Sequence, residues 1–146
     1  MLKKIKFDKW LIEVNVDQTS DYYKRDLEVC DCLDCTNFIK ACMFMTPPVS
    51  EFFYSLGIDP QKPAHLSRFP GEGSMHQYIG NYHFIGRVLE GELCTNLNWI
   101  DKNTISIENF ILGLSKELVF VPEDFPKPIV QLDFEVVIPW VIIEDD

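Results

Sequence analysis

Basic residues are scarce in this sequence. Lysine and arginine together number 13 against 23 aspartate and glutamate residues, so the formal net charge is −10 at pH 7. Binding to nucleic acids depends on basic side chains that neutralise phosphate groups. The balance of charge therefore argues against DNA or RNA as a ligand. An acidic surface instead keeps a protein soluble and can attract a basic partner.

Long apolar runs are also lacking. No stretch approaches the roughly 20 apolar residues of a membrane-spanning helix. The residues between Met1 and Lys9 lack the apolar core and small-residue cleavage site of a secretory signal. We therefore predict a cytoplasmic protein without membrane association. The five cysteines fit this prediction, because an odd number with uneven spacing is typical of reduced thiols rather than of a disulfide framework.

No internal repeat, low-complexity tract or linker divides the chain. It has 146 residues, of which 47% are hydrophobic. A domain of this size buries roughly two-thirds of the surface that its unfolded chain exposes. The prediction is a single domain that spans residues 1–146.

Alternating apolar residues predict several β-strands. The long segments with this pattern are 10–16, 75–88 and 130–142. In the last of them, Gln131, Asp133 and Glu135 oppose the apolar series and are expected to face solvent. Shorter strands are predicted at residues 104–107 and 117–121. Between these two, residues 109–114 have an ambiguous pattern.

Helical periodicity predicts helices over residues 32–45 and 49–56, and a short helix within residues 17–26. Residues 58–74 contain several prolines and glycines and are predicted to form a long loop. Strands and helices do not alternate regularly. The predicted class is therefore α+β, with a mainly antiparallel sheet and two or three helices inserted after the first strand and packed on one face.

Three cysteines, Cys30, Cys32 and Cys35, lie within six positions at the predicted start of the helix at 32–45. If Asp31 is the N-cap, Cys32 and Cys35 lie one turn apart, where the helix dipole and free backbone N–H groups stabilise a thiolate. The carboxylates of Asp31 and Asp34 oppose that effect. Thioredoxin-like dithiols also lie among parallel strands, which are not expected here. Reversible dithiol chemistry is one hypothesis for this group.

A bound zinc ion is the second hypothesis for the same three thiols. Structural zinc sites have four ligands, usually from a second Cys-x-x-Cys or a spaced histidine pair. The sequence contains neither. The fold would have to bring a fourth ligand to the three thiols, and the candidates are Cys42, Cys94, His65, His76 and His83. No cofactor other than this possible zinc is indicated.

Packing is the third interpretation of the cysteines. Cys35, Phe38, Ile39 and Cys42 recur at the spacing of one helical face. Because free cysteine behaves as a small buried hydrophobe, Cys35 and Cys42 would then belong to the core. Cys30 and Cys32 are not explained by this pattern.

Outside the cysteines, the sequence contains no glycine-rich phosphate loop after a strand and no nucleophile elbow. His83 and Arg87 share one face of a predicted strand, and Asn37 lies in the second turn of the cysteine-containing helix. These three residues form a candidate polar site. We expect His83 to be a hydrogen-bonded packing residue. The alternative is a hydrolase in which His83 acts as the base. No enzymatic activity is predicted.

The sequence resembles a group of small bacterial proteins that share the pattern Cys-x-Cys-x-x-Cys-x-Asn-Phe/Tyr and an ending like Leu-Pro-Trp. The matching residues are Cys30, Cys32, Cys35, Asn37 and Phe38, with residues 56–59, 82–84, 121–126 and 138–140. Because these positions extend over most of the chain, the resemblance is one of whole domains. It implies a bacterial protein and brings no activity with it.

The predicted function is a non-enzymatic protein-binding module whose partner is another protein, expected to be basic. Immunity proteins that neutralise a toxin are an analogy by size and acidity. The observations behind this prediction are the charge of −10 and the lack of a recognisable catalytic set. The alternative is a thiol-redox or zinc-binding protein that acts through Cys30, Cys32 and Cys35.

Overall fold

An antiparallel sheet and a group of helices form the fold. The computed structural model describes residues 2–25, 30–95 and 97–142, and within them it contains three helices and one seven-stranded sheet. The strands are β1 (Lys3–Phe7), β2 (Trp10–Val14), β3 (His65–Pro70), β4 (Met75–Glu90), β5 (Thr104–Ile107), β6 (Phe110–Ser115) and β7 (Ile129–Pro139). The helices are α1 (Val16–Tyr23), α2 (Leu33–Cys42) and α3 (Pro47–Leu56). The predicted α+β class is confirmed.

The long strand β4 organises the sheet. The strand order is β1-β2-β4-β7-β6-β5, and β3 also pairs with β4. One edge of β4 pairs with β7 along residues 75–85, and the other edge pairs first with β3 and then with β2. All of these pairs are antiparallel. Because β4 pairs with β2 on one edge and with β7 on the other, it connects the two ends of the sheet.

Aromatic side chains form the core between the sheet and the helices. Tyr82 of β4 and Phe134 of β7 lie on the helix-covered face, with ring centroids 5.2 Å apart. Phe38 of α2 stacks on Phe134 at 5.6 Å, and Phe53 of α3 meets Tyr82 edge-on at 5.0 Å. Replacing a buried phenylalanine of this kind by alanine costs about 3–5 kcal/mol. This packing fixes α2, and with it the cysteines, over the sheet.

Capping residues explain where α1 and α3 begin and where α3 ends. The first long strand ends at Val14 because Asn15 caps α1, with its Oδ1 accepting the N–H of Gln18 at 3.0 Å. Helix α3 begins at Pro47, two residues before its predicted start. Proline suits the first helical position because the backbone nitrogen of that residue donates no hydrogen bond within the helix. Gly57, at φ 80°, ends α3 in the left-handed conformation.

Three predictions about the sheet were wrong. Residues 65–70 of the predicted loop form β3, because β4 offers them an unpaired edge. Residues 117–121 are not a strand; they lie over the sheet, where the N–H of Val119 donates to Gln131 Oε1 at 2.6 Å. This cover buries Gln131 to 1% exposure. The second face of β7 is therefore covered, whereas the sequence predicted that it would face solvent.

No helix in the described part of the chain has the length and apolar character needed to cross a membrane.

Candidate functional site

The N-terminus of α2 carries the three clustered cysteines. Cys32, rather than Asp31, is the N-cap: its backbone is extended, and its carbonyl accepts the N–H of Thr36 at 2.9 Å. The sulfur of Cys32 accepts the N–H of Cys35 at 3.5 Å, in the way that a serine or aspartate oxygen caps other helices. A sulfur therefore lies directly at the positive end of the helix.

The sulfurs of Cys30, Cys32 and Cys35 converge. All three lie within 4.8 Å of one another; Cys30 and Cys32 are exposed, and Cys35 is buried beneath them. Thiolates around one zinc ion, each at about 2.3 Å from the metal, lie roughly 3.8 Å apart in a tetrahedral arrangement. The limit of 4.8 Å is about 1 Å above that spacing. This group of residues can therefore hold one metal ion.

The two thiols of the Cys-x-x-Cys pair differ in acidity. The hydrogen bond from the backbone N–H of Cys35, assisted by the thiol of Cys30, lowers the pKa of Cys32 below its ordinary value. Burial raises the pKa of Cys35, and the neighbouring thiols raise it further. The exposed thiol is thus the more acidic of the two.

An arginine that the sequence did not indicate lies beside the thiols. Arg68 of β3 donates from Nε to Asp34 Oδ1 at 2.6 Å, and its Nη1 lies 2.9 Å from Nδ1 of His76. The three cysteines share a cleft of about 400 Å³ with Asp34, Arg68 and His65. Arg68 was missed because β3 was predicted to be a loop, and no local pattern marks a contact across 34 positions of the chain.

Asn37 supports α2 from within the core. Its side chain is fully buried; Nδ2 donates to Tyr78 Oη and to the carbonyl of Pro139, both at 3.3 Å. Its Oδ1 accepts the N–H of Val141 at 2.6 Å. The residue therefore ties the helix to the sheet and to the segment after β7, and it does not face the thiols.

Cys42 lies apart from the thiol group. It is seven residues after Cys35, which corresponds to about 10 Å along a helix. Its sulfur contacts the carbonyl of Pro60 at 3.8 Å, and burial raises its pKa to about 12. This placement agrees with a packing role and sets Cys42 away from Cys30 and Cys32.

His83 and Arg87 do not form a site with Asn37. His83 is fully buried, with Nε2 placed 3.1 Å from the carbonyl of Val119 and 3.2 Å from Gln131 Oε1. Burial lowers the pKa of His83. Arg87 is exposed about 13 Å further along β4. His83 thus occupies the packed position expected of it.

The fold and the thiol group define an α+β protein that carries a three-cysteine group at a helix N-terminus. No protein-family model, curated protein or solved structure matches the chain. The resemblance to the group of small bacterial proteins stays a prediction.

Proposed function

We propose that the protein binds a zinc ion through the thiolates of Cys30, Cys32 and Cys35, with the fourth coordination position facing the adjacent cleft. The observation that carries this proposal is the convergence of the three sulfurs within 4.8 Å. Because Cys30 and Cys32 are exposed, an ion can enter without opening the core. Three protein ligands with one open position are typical of zinc sites that exchange a ligand or react.

The chemistry of the ligands supports zinc over harder cations. Thiolates prefer zinc, copper(I) and iron–sulfur clusters, whereas calcium and magnesium prefer oxygen ligands. The helix N-terminus adds a backbone N–H that already contacts the sulfur of Cys32. Binding releases the thiol protons, so affinity falls at acidic pH.

Cobalt(II) substitution tests the proposal directly. Protein prepared without chelator should bind one equivalent of metal, and cobalt should give the intense sulfur-to-metal absorption of thiolate ligation. Zinc should displace it. Cys30→Ser and Cys32→Ser should weaken binding by more than the 10- to 100-fold typical of losing an outer-shell partner. Both positions are exposed, so these variants should fold normally.

Cys42→Ala is the matched control, since this residue lies on the same helix and outside the thiol group. It should leave the affinity unchanged. Wild-type protein that binds no thiolate-ligated metal, or a Cys30→Ser, Cys32→Ser double variant with undiminished affinity, would contradict the proposal.

Reversible formation of a Cys32–Cys35 disulfide is a second candidate. It is supported by the exposure of Cys32 one helical turn from the more buried Cys35. Oxidised glutathione would take up the two electrons and two protons that the thiols lose. Mass spectrometry should then find a loss of two hydrogens in the wild type. A double variant, Cys30→Ser with Cys35→Ser, leaves no neighbouring thiol to displace glutathione from Cys32 and should give a stable glutathione adduct. Thiols that remain reduced in a strongly oxidising glutathione buffer would rule this candidate out.

The predicted role as a non-enzymatic protein-binding module stays a prediction. It is supported by the charge of −10 and by consecutive exposed apolar side chains at Leu118, Val119 and Phe120. Affinity capture from native cytosol should recover a stoichiometric, basic partner. Failure to recover one over a range of salt concentrations would count against this role.

A further inference from the structure

A second cleft lies on the face of the sheet that is turned away from α2 and α3. Antiparallel register places Asn81 of β4 opposite Asp133 of β7, and Glu135 follows Asp133 on the same face. Side chains alternate along a strand, so these three point away from the aromatic core around Tyr82 and Phe134. The cleft has a volume of about 400 Å³.

Two aromatic residues form its walls. Trp99 packs over Gly113, where an added Cβ would lie 2.6 Å from the indole Cζ3, and its Nε1 donates to Glu135 Oε1 at 3.0 Å. Phe120 stacks on the ring of His65, with centroids 4.0 Å apart and planes 6° from parallel. Phe120 remains 57% exposed and forms the rim.

The polar groups of the cleft are mainly acceptors. Asn81 is 5% exposed, and its Oδ1 has no hydrogen-bond donor among the described residues. Asp133 accepts from Gln131 Nε2 at 2.8 Å, and Glu135 accepts from Gln77 Nε2 at 2.9 Å as well as from Trp99. Within the described ranges, neither carboxylate forms an ion pair with a lysine or arginine.

The charge of these carboxylates is therefore uncompensated. Burial raises the pKa of Asp133, which reflects the cost of keeping its charge away from water. A ligand that brings a positive charge and several N–H donors would relieve this cost and also give Asn81 Oδ1 a partner. The aromatic walls favour a flat cation, because cations are attracted to the faces of aromatic rings.

We propose that this cleft binds a guanidinium group, with Asp133, Glu135 and Asn81 accepting its N–H donors and Trp99 and Phe120 flanking its plane. A guanidinium has five N–H donors in one plane and stacks on aromatic rings, whereas an ammonium group has three donors and no plane. The group can come from a free small molecule or from an arginine side chain of a protein. This inference is independent of the zinc proposal, since none of the three cysteines lines the cleft.

Titration with methylguanidinium chloride, followed by NMR, tests the inference. The indole N–H of Trp99 is the reporter, because it donates to Glu135 at the wall of the cleft. Its resonance should shift saturably with methylguanidinium. Urea, which is planar and neutral, should give no saturable shift at the same concentrations, and neither should sodium chloride at matched ionic strength. A response to methylguanidinium no larger than that to urea would overturn the proposal.

Variants identify the residues responsible. Asp133→Asn and Glu135→Gln keep the shape of each side chain and remove its charge, and each should raise the dissociation constant at least tenfold. Glu51→Gln, on the exposed side of α3, is the matched control and should leave it unchanged. Amide spectra establish that each variant is folded. Equal affinity in wild type and in a folded Asp133→Asn variant would overturn the proposal.

A comparison of agmatine with a blocked Gly-Gly-Arg-Gly-Gly peptide separates the two sources. Tighter binding of agmatine supports a free small molecule, and tighter binding of the peptide supports an arginine of a protein partner. Both outcomes support guanidinium recognition. Saturable binding of neither probe would overturn it.

Discussion

Arg68 Nε donates to Asp34 Oδ1 at 2.6 Å and thereby joins β3 to the first turn of α2. Asp34 lies between Cys32 and Cys35 in sequence, so this contact constrains the turn that carries the thiols. Its energy is limited, because both side chains are partly exposed and solvent screens their charges.

Arg68→Gln should therefore lower the free energy of unfolding by no more than about 1 kcal/mol. It should weaken zinc binding more clearly, by several-fold, because the helix start is less constrained. Urea unfolding and competition with a zinc chelator measure the two effects. Lys40→Gln, an exposed change of the same charge on α2, is the control and should alter neither quantity. Unchanged zinc affinity in Arg68→Gln would show that the ion pair does not hold the site.

Asn37→Ala should destabilise the protein by about 2–3 kcal/mol. The change leaves the N–H of Val141 without its acceptor and removes the donor to the hydroxyl of Tyr78, which keeps its own bond to the carbonyl of Asp34. Buried groups that lose a hydrogen-bond partner are costly. Chemical unfolding monitored by tryptophan fluorescence checks this value.

Asn109→Ala is the appropriate comparison for that change. Its side chain is exposed and donates to the carbonyl of Val137 at 3.2 Å, so water replaces the lost bond. The expected cost is about 0.5 kcal/mol. Equal losses in the two variants would indicate that the bonds of Asn37 contribute little.

Gly113→Ala should displace Trp99. The added methyl group would lie 2.6 Å from the indole ring and 2.8 Å from the sulfur of Cys94, which is closer than packed atoms approach. Overpacking of this kind costs about 1–3 kcal/mol. The indole N–H resonance of Trp99 should move as its bond to Glu135 lengthens, whereas Ser106→Ala on the exposed side of β5 should leave it in place. An unmoved resonance would contradict this account of the cleft wall.

His83 should make the protein less stable in mild acid. Burial lowers its pKa in the folded state below the ordinary value of 6.5. As the pH falls below 6.5, the unfolded chain takes up a proton that the folded chain does not, so the free energy of unfolding decreases. Above 6.5 both states are neutral at this residue and the effect disappears.

The difference between wild type and His83→Gln isolates that contribution. Burial raises the pKa of Asp133, which acts in the opposite direction at lower pH, but it is present in both proteins and cancels. Unfolding free energies at pH 7.5 and 5.5 should fall more steeply for wild type. Equal slopes would show that His83 takes up a proton as readily in the folded as in the unfolded state.

Much of the fold follows from local sequence pattern. The predicted alternation of β4 and β7 and the predicted end of the helix at residue 56 both appear in the structure, because burial of one face and a glycine after the last helical residue leave direct marks on the sequence. β1 was missed because it is a short edge strand whose alternate positions are lysines. β3 was missed because its strand conformation comes from pairing with β4 rather than from its own composition.

The candidate sites likewise differ in how far the sequence alone could predict them. The grouping of Cys30, Cys32 and Cys35 was visible because all three belong to one turn of chain. The cleft around Asn81 and Asp133 was not, because register between distant strands brings its residues together. The apolar residues 118–120 suggested a strand, whereas the structure uses them to cover a polar face of the sheet.

The position of β7 has a consequence for how the protein is made. β7 lies at the centre of the sheet, between β4 and β6, yet it is the last of the seven strands in chain order. During translation at about 5–20 residues per second, β4 and β6 must therefore wait with unpaired edges until β7 has left the ribosome. Exposed edges of this kind invite pairing with other nascent chains. We expect the newly made protein to depend on chaperones until β7 is in place.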